Sequence, residues 1–459
     1  MRPWLPVATV VTLGTVLRLL LAAWVPLTTD EAYYVDWARH LQPGYLDHPP
    51  AVAWLLAAGL RLLGARALAV RLPAVALLAG TTLLGASLVE ARAGRRAALA
   101  AALLLQVAPV FSLGGALMTP DAPLAFAWAG TLWAAERALR AGPRWWLAAG
   151  AFLGLGLLSK LSAGLLGLAL LGGLLASPAG RRALVTPWPW LGALLAVAVA
   201  SPMLAWNAAR DWPSLAFQAD HGLRGGGFSA LRLLGSLGAQ AGYVSPLLAV
   251  LAAAAAWRAW RGGPMERLLA ASALPVILFF TAAAAFTPGA LPHWPAPGWL
   301  SATLLLAMAG HRRLEAAGWV GATACALLVT ALALPLPESP LDELRGWEEG
   351  AAGARAAAGG APIAAAHWMA LGHLGWAGGV PLAYVGSRRC AASSYGPDPL
   401  DAGTPLLLVQ VVGLGEDRAA LEARLGPLVP RGEATARRGE RTLRTYRYWL
   451  RPGRVALAL

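Results

Sequence analysis

The sequence predicts an α-helical polytopic membrane protein of about eleven spans, ending in a small α/β domain. Three observations predict it. Apolar runs long enough to cross a bilayer recur between residues 4 and 335, arginines gather in alternate loops between them, and the composition turns polar after Leu336. Of the 459 residues, 58% are hydrophobic and only 13% charged, more apolar surface than one soluble core can hide.

The basic excess, 37 Lys and Arg against 23 Asp and Glu, sits between apolar runs. That placement marks cytoplasmic anchors of membrane helices rather than a nucleic-acid surface. The two cysteines, Cys325 in an apolar run and Cys390 in a polar segment, form neither a disulfide framework nor a metal pattern.

Taken in order, the run 4–26 reads as a retained span, because many equally apolar runs follow it. Residues 28–66 form an outer loop. It begins with the helical pattern "EAYYVDWARHL" and contains "PPAVAWLLAAGLRLLG", too short for a span and read as a helix lying in the interface. Further spans fall near 67–90, 96–114, 121–139, 145–159, 161–177, 187–206, 230–257, 266–286, 295–310 and 316–335.

Arginine clusters check this series. Arg92, Arg95 and Arg96; Arg137, Arg140 and Arg144; Arg181 and Arg182; Arg258, Arg261 and Arg267; and Arg312 and Arg313 all fall in loops of the same parity as the N-terminus. That face is expected in the cytoplasm and the 28–66 loop outside. Parity also decides that 145–177 is two short spans, with Ser159 and Lys160 at their outer turn. Residues 1–336 are therefore expected as a membrane domain and 337–459 as an outer α/β domain. In the latter, "PESPLDELRGWEEGAAGARAAA" and "EDRAALEARLG" read as helices and "PLAYVG" and "TPLLLVQVVG" as strands.

The conspicuous polar residues all fall on the outer side. "LTTDEAYYVDWARHLQPGYLDHPP" brings Asp30, Glu31, Tyr33, Tyr34, Asp36, Asp47 and His48 next to the first span. Acids near hydrocarbon usually face a watery cavity and a partner; a helix N-cap is the plainer explanation for Asp30 alone. Asp121 in "MTPDAPL" stands at the outer start of a span, where an N-cap is again the plain alternative. Lys160 is the only lysine; every other basic residue is arginine. Its compact ammonium suits a phosphate as a point charge. The outer segment from Ser201 adds Asn207, Gln218 and His221, and "FTPGALPHWPAPGWL" adds His293. Carboxylates, a lysine and histidines framed by aromatics suit a substrate that is half lipid: a carboxylate takes a proton from an acceptor hydroxyl while cations stabilise a departing phosphate.

At these residues, in "TTDEAYYVDWARHL", "GYLDHPP", "MTPDAPLAFAW", "GLGLLSKLSAG", "SPMLAWNAARDWPSLAFQ" and "HWPAPGWL", the sequence resembles the bacterial branch of the protein O-mannosyltransferase superfamily. These are membrane enzymes of the GT-C fold, including aminoarabinose transferases and lipopolysaccharide galacturonosyl transferases. The resemblance covers roughly the first 300 residues. It implies transfer of a sugar from a polyprenyl-phosphate donor to a hydroxyl or phosphate of lipid A, another glycolipid or a protein, on the periplasmic face of a bacterial inner membrane. Asp30 would be the general base of an inverting displacement, Glu31 would orient the base or acceptor, and Asp121 would be the second acidic motif. Asp47 and His48 stand where the aminoarabinose transferases carry a Glu-Lys pair, so His48 and Lys160 would supply the positive charge at the donor phosphate. Tyr33, Tyr34, Asn207, Gln218, His221 and His293 would contact substrate. Asp47, His48, His221 and His293 are the set that could ligate a divalent ion, but no cofactor or obligatory metal is expected, because side-chain cations can stabilise the leaving phosphate. A transporter or flippase is the competing class; it predicts internal repeats and midplane charges.

Overall fold

The computed structural model describes residues 4–223, 226–334, 339, 341–380, 382–395 and 404–453. The expected boundary at 336/337 and the side chain of His221 lie outside this described part. Contacts divide the chain into two compact units: Met1–Ala23, Pro43–Val52 and Arg71–Ala333 form the first, and Trp24–Gln42, Ala53–Val70 and Leu334–Leu459 the second.

The helices, in chain order, are α1 (Leu5–Trp24), α2 (Thr29–Arg39), α3 (Ala51–Leu63), α4 (Ala67–Val107), α5 (Pro109–Ser112), α6 (Asp121–Arg140), α7 (Trp145–Ser159), α8 (Gly164–Leu175), α9 (Pro178–Leu184), α10 (Trp188–Ala208), α11 (Pro213–Leu223), α12 (Ala230–Val244), α13 (Pro246–Ala259), α14 (Pro264–Phe286), α15 (Ala296–Ala309) and α16 (Leu314–Ala333). Most follow the apolar runs within a few residues. Two expected spans, 67–90 and 96–114, meet at Gly94, whose φ of 81° breaks α4 where the arginine cluster falls. One expected span, 230–257, is two helices bent by 100°: Ser245 takes φ 84° and Pro246 starts α13 with a fixed φ. Among the described residues, five helices are long and apolar enough to cross a membrane, or seven if each of two bent pairs counts as one. Shorter apolar helices, α3, α7 and α15 among them, accompany these.

In the first unit, small residues let helices approach closely, the usual device when lipid gives no hydrophobic drive between helices. Gly150 of α7 lies against α10 so tightly that a Cβ there would sit 1.9 Å from the Gly192 carbonyl oxygen. Gly173 of α8 meets the Leu268 backbone of α14 in the same way. Buried hydroxyls and amides bridge helices: Trp128 Nε1 and Ser272 Oγ both donate to Ser301 Oγ at 2.9 Å, and Trp299 Nε1 donates to Gln240 Oε1 at 3.0 Å. Gly150→Leu is expected to leave little folded protein, read by size-exclusion of the detergent extract; a normal peak would show that α7 and α10 separate without consequence.

The second unit holds a five-stranded sheet of β1 (Ile363–Ala365), β2 (Ala383–Tyr384), β3 (Leu406–Val411), β4 (Val429–Arg438) and β5 (Arg441–Arg451), in the order β2-β1-β3-β5-β4. β1 runs parallel to β2 and β3, and β5 antiparallel to β3 and β4. All six residues of β3 are buried; five are apolar, as a central strand requires, and Gln410 accepts from Trp449 Nε1 at 3.0 Å. Beside α2 and most of α3, this unit holds α17 (Trp347–Ala358), α18 (Trp368–Gly378) and α19 (Arg418–Leu425), the last capped by Asp417, which accepts from Ala420 N at 2.9 Å. The sequence pattern "PESPLDELRGWEEGAAGARAAA" starts its helix later than expected, at Trp347, because Gly346 takes φ 80°.

His373 of α18 is buried, its ring stacked on Trp347 at 4.4 Å with Arg444 4.0 Å from the Trp347 ring. Burial, aided by Arg444, pushes its imidazole down to about 3. An unfolded histidine titrates near 6.5, so the folded state resists the proton and its advantage, full above that value, is lost as pH falls from about 6.5 toward 3. Burial raises Asp36, against the pull of His40, Tyr395 and Arg39, and this gives the opposite slope. The His373 contribution is therefore read as a difference. His373→Gln is expected to flatten the acid-side loss of stability, on the order of a few kcal/mol, in a urea titration at pH 7 and pH 4.5; parallel curves for the variant and the parent would refute it.

Candidate active site

In the first unit, four chain segments converge on one carboxylate. Asp121 is the first residue of α6, and Pro120 holds the cap position without a side-chain cap bond. The N-cap explanation thus fails, and the carboxylate turns elsewhere. Lys160 Nζ donates to Asp121 Oδ1 at 2.8 Å, and His293 Nε2 lies 3.6 Å from Asp121 Oδ2. The three side chains keep 26%, 15% and 31% exposure for Asp121, Lys160 and His293, so they are sheltered yet reachable. His48 adds its field to the same carboxylate.

Local sequence explains each placement. α7 stops at Ser159 and Lys160 turns extended (φ −157°, ψ 136°), which carries its side chain away from the helix that ends there. A 3-10 turn, Leu161–Ala163, then restarts the chain into α8. His293 lies in the proline-rich link before α15, where Ala296 N donates to its carbonyl at 2.9 Å. Burial pushes the His293 imidazole below its ordinary value; the Asp121 carboxylate opposes this and Lys160 reinforces it. A neutral imidazole can both give and accept a proton.

The 43–50 loop is stitched to α11. Ser214 Oγ donates to Tyr45 O at 2.7 Å and Gln218 Nε2 to Asp47 O at 2.5 Å. Gly44 lies flat against Trp206, where a Cβ would come within 2.8 Å of the ring. Gln218 therefore sets the backbone of the Asp47–His48 pair. Asn207 is buried, and both ends of its amide serve the turn into α11: Nδ2 donates to Met203 O at 3.1 Å, and Oδ1 accepts from Ser214 N at 3.1 Å. That turn needs the tie, since Asp211 and Trp212 take φ of 59° and 56°.

In the second unit, α2 presents the other acids. Thr28 is its N-cap and Glu31 closes a capping box: Glu31 Oε2 accepts from Thr28 N at 3.0 Å while Thr28 Oγ1 accepts from Glu31 N at 3.3 Å. The cap accounts for Glu31, which is buried, and leaves the exposed Asp30 out of it. Tyr33 and Tyr34 are buried in an aromatic cluster with Trp37, at 5.2 Å and 4.9 Å between ring centroids. Tyr33 OH accepts from Ala391 N at 2.8 Å.

Two arginines to which the sequence assigns no role lie in apolar helices. Arg71 is fully buried and donates to Ala22 O at 3.1 Å; Arg18 donates to Ser112 O at 2.9 Å and Gln106 Oε1 at 2.7 Å. The signal was present, since a lone arginine inside an apolar run is costly and needs a reason. Among the described residues, no three His, Cys, Asp or Glu side chains form a group able to hold a metal ion.

A family model described as dolichyl-phosphate-mannose-protein mannosyltransferase matches residues 47–206, the stretch that carries Asp47, His48, Asp121 and Lys160. No curated protein matches the chain by sequence. Among solved structures, ArnT from Cupriavidus metallidurans in the apo state superimposes with a TM-score of 0.69 at 17% identity, covering 96% of this chain and 97% of that one. The same protein bound to undecaprenyl phosphate gives 0.65 at 18% identity, with 98% of each chain covered. The Archaeoglobus fulgidus oligosaccharyltransferase in the apo form gives 0.53 at 14% identity over 86% of this chain and 65% of that one. The chain accordingly shares its fold with these solved structures, and residues 47–206 are similar to the mannosyltransferase family model.

Proposed function

We propose that the protein is a membrane glycosyltransferase that moves a sugar from a polyprenyl-phosphate donor to a hydroxyl or phosphate of lipid A, another glycolipid or a protein. The observation that carries this reading is the cluster of Lys160, Asp121, His293 and His48. A solved ArnT of the same fold binds undecaprenyl phosphate, which supports a polyprenyl-phosphate donor here.

In this reading Asp30 takes the proton from the acceptor as its oxygen attacks the anomeric carbon. The bond from that carbon to the phosphate oxygen breaks, and polyprenyl phosphate leaves with the electron pair. Attack opposite the leaving group inverts the anomeric centre. Lys160 and His48 neutralise the charge developing on the phosphate, worth several kcal/mol in a sheltered site. No metal is required for that step. The reaction runs on the periplasmic face of a bacterial inner membrane, with the polar C-terminal domain on the same side.

Mass spectrometry of envelope lipids and glycoproteins from cells with and without the gene tests the function. One species should lose a sugar mass when the gene is absent; identical envelopes, with the protein present in the parent strain, would overturn it. Orientation is tested separately, in a chain with Cys325 and Cys390 replaced by serine. A thiol reagent that cannot cross the inner membrane is expected to label a cysteine placed at 221 and not one placed at 95. The reverse pattern would invert the topology.

A further inference from the structure

The exposed carboxylate of Asp30 sits on the first turn of α2, the part of a helix that has lost half of its backbone bonds and frays most readily. The capping box ties that turn to its own chain. A second tie comes from α18, within the same unit. Gly372 brings the two helices into backbone contact: a Cβ there would lie 2.7 Å from both Ala32 C and Tyr33 N. The next residue, His373, reaches Thr29, with 3.2 Å between Nε2 and Oγ1.

That imidazole is itself held hard. Its ring lies on Trp347 with 5° between the planes, Trp347 Nε1 donates to Glu343 O at 3.2 Å, and the Arg444 guanidinium sits 4.0 Å from the Trp347 ring. Arg444 belongs to β5, so the chain of contacts runs from the sheet, through two stacked rings, to the residue beside Asp30. His373 is 3% exposed. An ordinary core histidine would satisfy itself on a nearby carbonyl; this one spends its outward nitrogen on the hydroxyl at the start of the helix that bears the acid.

We propose that His373 is a positioning residue for Asp30, acting through Thr29 and the first turn of α2. The proposal rests on the reading of Asp30 as the base. Its chemical content is geometric: a displacement of about 1 Å at a reacting group lowers rate by about a hundredfold, and a frayed first turn moves its side chains by at least that much. Neutral at working pH because burial holds its imidazole at about 3, His373 keeps one nitrogen for the Thr29 hydroxyl without bringing a charge near the base.

The test uses the full-length protein in nanodiscs, as wild type, His373→Ala, His373→Gln and Asp30→Asn. Transfer is followed as undecaprenyl phosphate released from a panel of undecaprenyl-phosphoryl mannose, glucose, galacturonate and aminoarabinose, on whichever member wild type consumes. His373→Ala is expected to lower kcat by about ten- to a hundredfold with donor KM within about twofold. His373→Gln, which offers an amide nitrogen in place of Nε2, restores most of the rate. Without any ligand, amide exchange of residues 30–33 is expected to quicken by about tenfold in His373→Ala and not in His373→Gln. Unchanged exchange, or an unchanged kcat, in His373→Ala overturns the positioning role while a dead Asp30→Asn leaves the base standing. A fully active Asp30→Asn overturns the base itself and the positioning role with it.

Discussion

Asp30→Asn is expected to lower sugar transfer by about a hundred- to ten-thousandfold while leaving expression, membrane insertion and melting temperature near those of the parent. The magnitude follows from what a positioned base supplies. The fold should tolerate the change because Asp30 is exposed and is not the cap: Thr28 and Glu31 carry that duty between them. The neighbouring position is the internal control. Glu31→Ala removes the carboxylate that accepts from Thr28 N, a loss of about 1 kcal/mol of helix stability, and should lower melting temperature along with activity. Two acids adjacent in sequence thus give two different signatures, one kinetic and one thermodynamic. Initial rates over a donor series, set beside melting curves of the same preparations, separate them. Near-parental transfer by Asp30→Asn would end the assignment of the base.

How much of this was legible beforehand depended on the length scale of the signal. Apolar runs and arginine parity carry information over twenty residues at a time, so most helices stand where the pattern puts them. The bend between α12 and α13 was missed because Ser245 and Pro246 are a two-residue signal inside an otherwise unbroken apolar run. The strands divide. β2 and β3 fall within "PLAYVG" and "TPLLLVQVVG", which read as strands, whereas β1 is three residues long, too short for any alternation to show, and the β4–β5 hairpin is so rich in arginine that it reads as a solvated segment. Within the candidate site, the residue types were visible, but their partners were not. Asp121 and Lys160 are 39 residues apart, and nothing in either neighbourhood says that one neutralises the other. Asn207 and Gln218 were expected from the resemblance to contact substrate; the chain itself engages both ends of the Asn207 amide and the Gln218 amide nitrogen. Polarity in such surroundings signals a partner, and only the three-dimensional arrangement says whether that partner is a substrate or the chain itself.

Lys160→Met is expected to raise the donor concentration needed for half-maximal transfer by at least about tenfold and to leave acceptor dependence nearly unchanged, since a removed point charge at a phosphate weakens that contact by roughly 1.5–3 kcal/mol. The same substitution strands Asp121. Its carboxylate keeps His293 at 3.6 Å and the field of His48, and leaving such a charge without its ammonium destabilises a sheltered site by about 1–3 kcal/mol, less than for a fully buried pair because both side chains keep some exposure. A fall in activity alone would therefore be ambiguous between lost phosphate binding and a loosened fold. The double variant Asp121→Asn with Lys160→Met resolves it, because it removes both charges and with them the stranded one. If Lys160 serves the donor, the double variant recovers stability and stays impaired for donor. If the pair is a structural tie, stability and transfer return together. Lys160→Arg adds a third reading, since a planar fork is bulkier than an ammonium and cannot occupy a slot cut for a point charge without shifting Asp121: charge is kept, geometry is not, and donor affinity should fall between those of the parent and Lys160→Met. Recovery of full transfer in the double variant is the result that would remove Lys160 from the phosphate site.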